Sequence, residues 1–512
     1  MYTGKLTDEN ISCIFRDAAL FCAQRNAPGS CGTMDAVFIS IHQPERGSME
    51  RPNAWKESTQ DERQEALRFC EGYKAFISQN KTERECCAAA AALAEEQGYR
   101  ALDSLIAEGA KLVSGDKVYA TNHGKALLLL EVGTKPLEEG LNILGAHIDS
   151  PRLDVKQNPL EEKSGLAYLD THYYGGIKSY QWTALPLALH GVVCKKDGTK
   201  VQIALGEDPS DPVFCVTDLL PHLAKDQMSK KAAEAVEGEV LDLLVGNEPL
   251  AIEGDADEAK DPVAAHVLSI LKERYAIEEE DFLSAELEIV PAGAARDLGF
   301  DRSMILAYGQ DDRVCSYPSL LAQLENPAPA RTAVTLLVDK EEIGSVGATG
   351  MTSSFFEDTI AEVLALAGET SPLALRRCLR HSRMLSSDVS AGFDPSFASV
   401  FETKNSCFLG RGLTFNKYTG SRGKAGSNDA DAEYLAQVRA AMDEADVKWQ
   451  TAELGRVDAG GGGTIAYILA KYDMDVVDCG VPVLSMHAPW EATSKIDIFN
   501  AYKGYKAFLK TE

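Results

Sequence analysis

Short apolar runs alternate along this chain with segments of helical period, and that alternation decides its class. From Gln60 onward Ala66, Leu67, Phe69, Cys70, Tyr73, Phe76 and Ile77 recur at helical spacing, and a second helix is predicted over residues 83–97. Runs of strand length follow at 126–132 and 141–148. Further strand candidates lie at 304–308, 333–338, 475–479 and 483–486. Strands alternating with helices imply an α/β fold. Residues 160–250 differ: short β-like runs at 192–194, 201–205 and 213–216 are broken by turn pairs such as Asp197-Gly198. The expected architecture is therefore an α/β domain interrupted by a largely β insertion. Its first part covers residues 1–152, the insertion 153–299 and the second part 300–512. Residues 1–59 read as an N-terminal extension with a Pro/Gly/Arg-rich loop at 43–53, and the acidic stretch 246–261 reads as a surface loop.

Composition narrows the function. Of 512 residues, 45% are hydrophobic and 25% charged, the balance of a globular protein with a large core. Acids outnumber bases 78 to 51, a net charge of −27. That excess excludes a nucleic-acid backbone as partner, which needs a Lys/Arg footprint, and an anionic membrane surface. No stretch reaches the ~18 apolar residues of a membrane span. The N-terminus lacks the basic-then-apolar pattern of a signal peptide. Twelve scattered Cys with no CxxC pair give no zinc ribbon or redox motif, and the expected location is the reducing cytoplasm.

Five short segments carry chemistry, and four of them end a predicted strand, where sites of open α/β sheets lie. In Leu144-Gly-Ala-His147-Ile-Asp149, His and Asp stand at i and i+2. In an extended chain both point to one side, so Asp149 can fix the imidazole tautomer. In Gln310-Asp311-Asp312 the residues alone leave helix capping and metal binding equally open. In Asp339-Lys-Glu341-Glu342-Ile-Gly344 an apolar strand runs into paired carboxylates, which the residues alone leave open between a solvated strand end and a base beside a ligand. Ser387-Asp388 and Ser485-Met-His487 are weak taken singly. Together His147, Asp311, Glu342, Asp388 and His487 supply two imidazoles and three carboxylates. Two divalent cations with a bridging hydroxide would balance that charge, and the N/O donor mix suits zinc, with cobalt or manganese as alternatives.

These motifs, in this order, resemble the M18 family of metallo-aminopeptidases, the aspartyl aminopeptidase group, over about residues 60–510. Tyr174-Gly-Gly-Ile177 and Gly462-Gly-Thr464-Ile465 add to the resemblance. It implies a mixed-sheet zinc-peptidase catalytic domain with the insertion serving dimerisation, and dimers that build a tetrahedral dodecamer. It further implies two Zn2+ per chain, one on His147, Asp311 and Asp388, the other on Asp311, Glu342 and His487. Glu341 would be the general base, Asp149 would support His147, and the Asp311–Asp312 peptide would be cis. The substrate would be a peptide losing its N-terminal residue, an acidic one (Asp or Glu) in the aspartyl group. By the same resemblance His222 reaches the neighbouring subunit's site, and Lys417 lies near a pocket for an acidic side chain. The chain departs from the family after Tyr174-Gly-Gly, where Trp182-Thr-Ala-Leu-Pro186 replaces a charged triplet. Rival readings are another dimetal dipeptidase or deacylase, or a scaffold shell without activity.

Overall fold

The computed structural model describes residues 51–251, 260–326 and 328–512. The expected extension therefore lies outside the described residues up to position 50, as does the loop over 252–259. Among the described residues the chain opens with a single helical turn, Ala54–Glu57, and two longer capped helices, Gln60–Gln79 and Glu83–Glu96. Thr59 and Thr82 stand at their N-caps and Glu62 and Glu85 three residues on, each pair satisfying the other's backbone N–H.

A nine-stranded sheet forms the frame. Its centre is four parallel strands in the order Thr332–Val338, Leu141–His147, Arg383–Ser387 and Asp475–Gly480. Both faces are covered, which is why these strands read as continuous apolar runs rather than as alternation. On Ala126–Glu131, Leu127 and Leu129 pack toward Tyr73, Phe76, Cys87 and Ala90 of the first helices. Leu128 and Leu130 pack the other way, in one cluster with Leu102, Leu105, Ile360 and Val363.

The expected strands at 304–308 and 483–486 form, but not in this sheet. Met304–Ala307 and Pro482–Leu484 belong to a separate five-stranded sheet, with Glu491–Ser494 between them. Strand length and hydropathy carry no information on which sheet a strand joins, because both environments are buried.

The insertion builds a six-stranded sheet from Arg152–Lys163 to Ala285–Pro291. Its β character matches the expectation, with two differences. Residues 213–216 make only isolated bridges, to Thr183, Leu187 and Leu244. A helix, Pro262–Tyr275, packs on the sheet. Arg296–Leu298 pairs with Met304–Ala307 in the five-stranded sheet. Buried charge links the insertion to the frame. Lys81 Nζ donates to Pro291 O at 2.6 Å and pairs with Glu207 at 2.6 Å, and His190 stands between Glu85 and Glu207 at 2.8 and 3.2 Å.

Candidate metal site

The carboxyl ends of the frame's parallel strands deliver one half of the site. His147 is the last residue of its strand, Asp388 follows Arg383–Ser387, and Glu341–Ile343 form a single 3₁₀ turn beyond Thr332–Val338. The five-stranded sheet delivers the other half. Asp311 opens the helix Gln310–Leu324 after Met304–Ala307, and His487 follows Pro482–Leu484 with φ +64°, left-handed backbone rare for a non-glycine residue. The Asp311–Asp312 peptide is cis, as the resemblance implied.

These ends converge on two donor groups sharing one residue. His147, Asp311 and Asp388 form the first, and Asp311, Glu342 and His487 the second, with the donor atoms of each within 4.8 Å of one another. Nε2 of His147 lies 3.2 Å from Asp311 Oδ1 and 3.7 Å from Asp388 Oδ1. Nε2 of His487 lies 3.2 Å from Asp311 Oδ2 and 3.6 Å from Glu342 Oε2. A tetrahedral ion with bonds of ~2.0–2.1 Å keeps its donors roughly 3.3–3.5 Å apart, so these spacings fit a zinc ion in each group. His147 Nε2 and Glu342 Oε1 are also buried without a hydrogen-bond partner, as unfilled ligands would be.

The electrostatics point the same way. Burial raises Glu342 well above the ordinary carboxylate range, and Asp311 adds to the effect. Burial, then Asp388, pushes Glu341 up to about 8. Burial opposes a charged His487, yet Asp311 lifts it to about 10. At Asp311 burial is outweighed by His147 and His487, which hold its carboxyl below the usual range. The cluster gathers protons wherever cations would otherwise balance its charge, the competition expected of metal ligands.

An outer layer orients these groups. Nδ1 of His147 lies 3.1 Å from Asp149 O and 3.2 Å from Asp149 Oδ1, and the Asp149 carboxylate accepts from the N–H groups of Glu341 and Glu342 at 3.1 and 3.2 Å and from Tyr174 Oη at 2.7 Å. One carboxylate thus positions residues on both strand ends. Nδ1 of His487 is 2.9 Å from Gly176 O, so the insertion's first turn fixes that imidazole. A Cβ at Gly176 would stand 3.3 Å from the same nitrogen, and one at Gly175 would stand 3.2 Å from Glu342 Cβ. Tyr174-Gly-Gly is therefore shaped by close approach to the site.

Glu491 escaped the sequence reading. It is 1% exposed and accepts from His487 N at 2.8 Å and Asp311 N at 3.1 Å, tying the two five-stranded-sheet residues together. No local pattern marks it, since its partners lie far away in sequence or on a turn. His222 and Lys417 are exposed, and neither lines the cavity of about 450 Å3 that opens over the donor groups.

The comparisons with known proteins agree with this geometry. The family described as aminopeptidase I zinc metalloprotease (M18) matches residues 76–509. A probable M18 family aminopeptidase 1 of Clostridium acetobutylicum is 56% identical over 460 residues, covering 90% of this chain and 98% of the relative. The crystal structure of an M18 aminopeptidase from Thermotoga maritima superposes with a TM-score of 0.85 at 42% identity, covering 90% of this chain and all (100%) of that one. The S. cerevisiae mApe1 dodecamer shares the fold, with a TM-score of 0.68 at 20% identity over 86% of this chain and 96% of that one. With matched residues spanning every donor and the relatives covered almost end to end, this chain belongs to the M18 family of zinc metallo-aminopeptidases, hydrolases that act on peptides.

Proposed function

We propose that this chain removes the N-terminal residue of peptides at a centre of two zinc ions, one held by His147, Asp311 and Asp388 and the other by Asp311, Glu342 and His487. The observation that carries this reading is the pair of donor groups joined at Asp311. Cobalt or manganese would satisfy the same N/O donors. Bound ions would supply Lewis-acid chemistry, lowering the pKa of a water and polarising the scissile carbonyl. Glu341 belongs to neither donor group and lines the same cavity. It takes the attacking water's proton and returns it to the leaving amine. Asp149 holds His147 and the Glu341–Glu342 turn in place.

The inserted sheet serves dimerisation in this reading. Leu219, Leu220 and Leu223 are 53, 50 and 70% exposed around His222, an apolar face suited to a second subunit. Dimers assembled into a dodecamer would enclose the sites. The nine described cysteines are all free, which supports a reducing compartment such as the cytoplasm. No described helix is long and apolar enough to cross a membrane.

The test is a panel of aminoacyl-7-amido-4-methylcoumarin substrates on zinc-loaded protein, with N-acetylated controls and metal analysis. Cleavage confined to free amines, with about two ions per chain, is the expected result. Equal cleavage of acetylated substrates would identify a deacylase or endopeptidase instead. Far fewer than two ions with no hydrolysis would leave only a scaffold.

Asp149→Asn keeps the side chain's size but offers an amide where two backbone N–H groups and a phenol require an acceptor. Zinc affinity, read by chelator competition, should fall roughly 10- to 100-fold. Wild-type affinity would remove Asp149 from the outer layer.

A further inference from the structure

The cavity over the donor groups extends past them to a floor that neither metal binding nor water activation uses. Asp478, in the strand Asp475–Gly480, lines it and is 2% exposed. Its Oδ1 takes the Thr464 hydroxyl, while Oδ2 has no hydrogen-bond partner. Beside it Asn416 is 8% exposed, donates from Nδ2 to Ser390 Oγ at 2.9 Å, and leaves Oδ1 without a partner. Glu453 lines the same cavity and accepts from Tyr418 Oη at 2.6 Å through one oxygen, leaving capacity on the other. Buried acceptors left unpaired are costly, and a ligand carrying donors relieves them.

Charge sharpens the choice of ligand. Two divalent cations would offset Asp311, Glu342 and Asp388, and Glu341 handles the water's proton. Glu453 remains, and so does Asp478, whose carboxyl burial pushes up to about 7 and which a cation beside it would hold ionised. Among the described residues no Lys or Arg lines the cavity, and Lys417 is exposed outside it. Leu454, Tyr467 and Met486 supply apolar surface in the same lining. An apolar stem ending in a cluster of donors matches that arrangement. A carboxylate side chain would meet the like charge of Asp478 and Glu453, with no cationic side chain in the described lining to offset it.

From this geometry we infer that the cavity takes the side chain of a peptide's first residue and selects a cationic one, Lys or Arg, over an acidic one. The inference rests on the aminopeptidase reading above and names its substrate class.

The test compares Lys-, Arg-, norleucyl-, Asp- and Glu-7-amido-4-methylcoumarin on the zinc-loaded full chain. The kcat/KM for Lys and Arg should exceed norleucine about tenfold, and Asp and Glu about 100-fold or more. In Asp478→Asn the Lys-to-norleucine ratio should fall about tenfold, and Glu453→Gln should lower it by a smaller factor. Calorimetry supplies a readout independent of turnover: lysine amide should bind more tightly than norleucine amide, and the gap should close in Asp478→Asn. Fastest cleavage of Asp or Glu, a Lys-to-norleucine ratio at or below one, or a ratio unmoved in both variants overturns the inference while the aminopeptidase reading stands. If no aminoacyl substrate is cleaved, that reading falls, and equal binding of the two amides then overturns the pocket's selectivity as well.

Discussion

Glu341→Gln should keep its metal and lose about 100- to 10,000-fold in kcat, the range a positioned general base supplies. The reason lies in the division of labour between neighbours. Glu342 stands 3.6 Å from His487 within a donor group, whereas Glu341 belongs to neither group. Burial and Asp388 push the Glu341 carboxyl up to about 8 in the absence of cations. Two bound cations would bring it down, leaving an ionised base at neutral pH that binds the water's proton readily. The amide of Gln preserves volume and cannot take that proton. Metal analysis and steady-state kinetics on the same preparation make the check, and near-normal turnover with two ions bound would end the assignment of Glu341 as base.

A larger effect on metal is expected from Asp311→Asn. Asp311 is the one residue common to both donor groups, with Oδ1 turned to His147 and Oδ2 to His487. An amide offers one neutral oxygen in place of a carboxylate shared by both groups, so at least one group is left with two donors, too few for a closed tetrahedral site. Zinc affinity should fall by more than the roughly 100-fold upper range for loss of an outer partner, and activity should vanish with it. The exchange conserves shape, and its backbone ties, Asp311 N to Glu491 and Asp311 O to Ser150 Oγ, remain available. Far-ultraviolet circular dichroism should therefore stay unchanged. Retention of two ions with wild-type turnover would show that Asp311 does not bridge.

Much of this site was legible residue by residue. His147, Glu341 and Asp388 stand at or just past the ends of apolar strands, and strand ends can be read because the apolar run is a local property. The His147–Asp149 pairing followed from side-chain alternation in an extended chain, and the two lie 3.2 Å apart. The helices at Gln60–Gln79 and Glu83–Glu96 were equally plain from their apolar period. Assignment of strands to sheets was not legible. Met304–Ala307 and Pro482–Leu484 look like frame strands in sequence, yet they pair through Glu491–Ser494 in a sheet of their own. Glu491 and the floor residues Asn416 and Asp478 gave no sign either.

Residue type and periodicity over a few turns carried the candidate donors, the carboxylate beside them and the α/β framework with its β insertion, all of them local properties. Only the tertiary structure decided that Asp311 faces both imidazoles, that Tyr174-Gly-Gly from the insertion clasps His487, and that the cavity ends on unpaired acceptors rather than on a base. The physical reason is one of range. Backbone preference and hydrophobic period act between near neighbours, whereas the meeting of charges and the shape of a cavity are set by how two sheets pack, which no local pattern encodes.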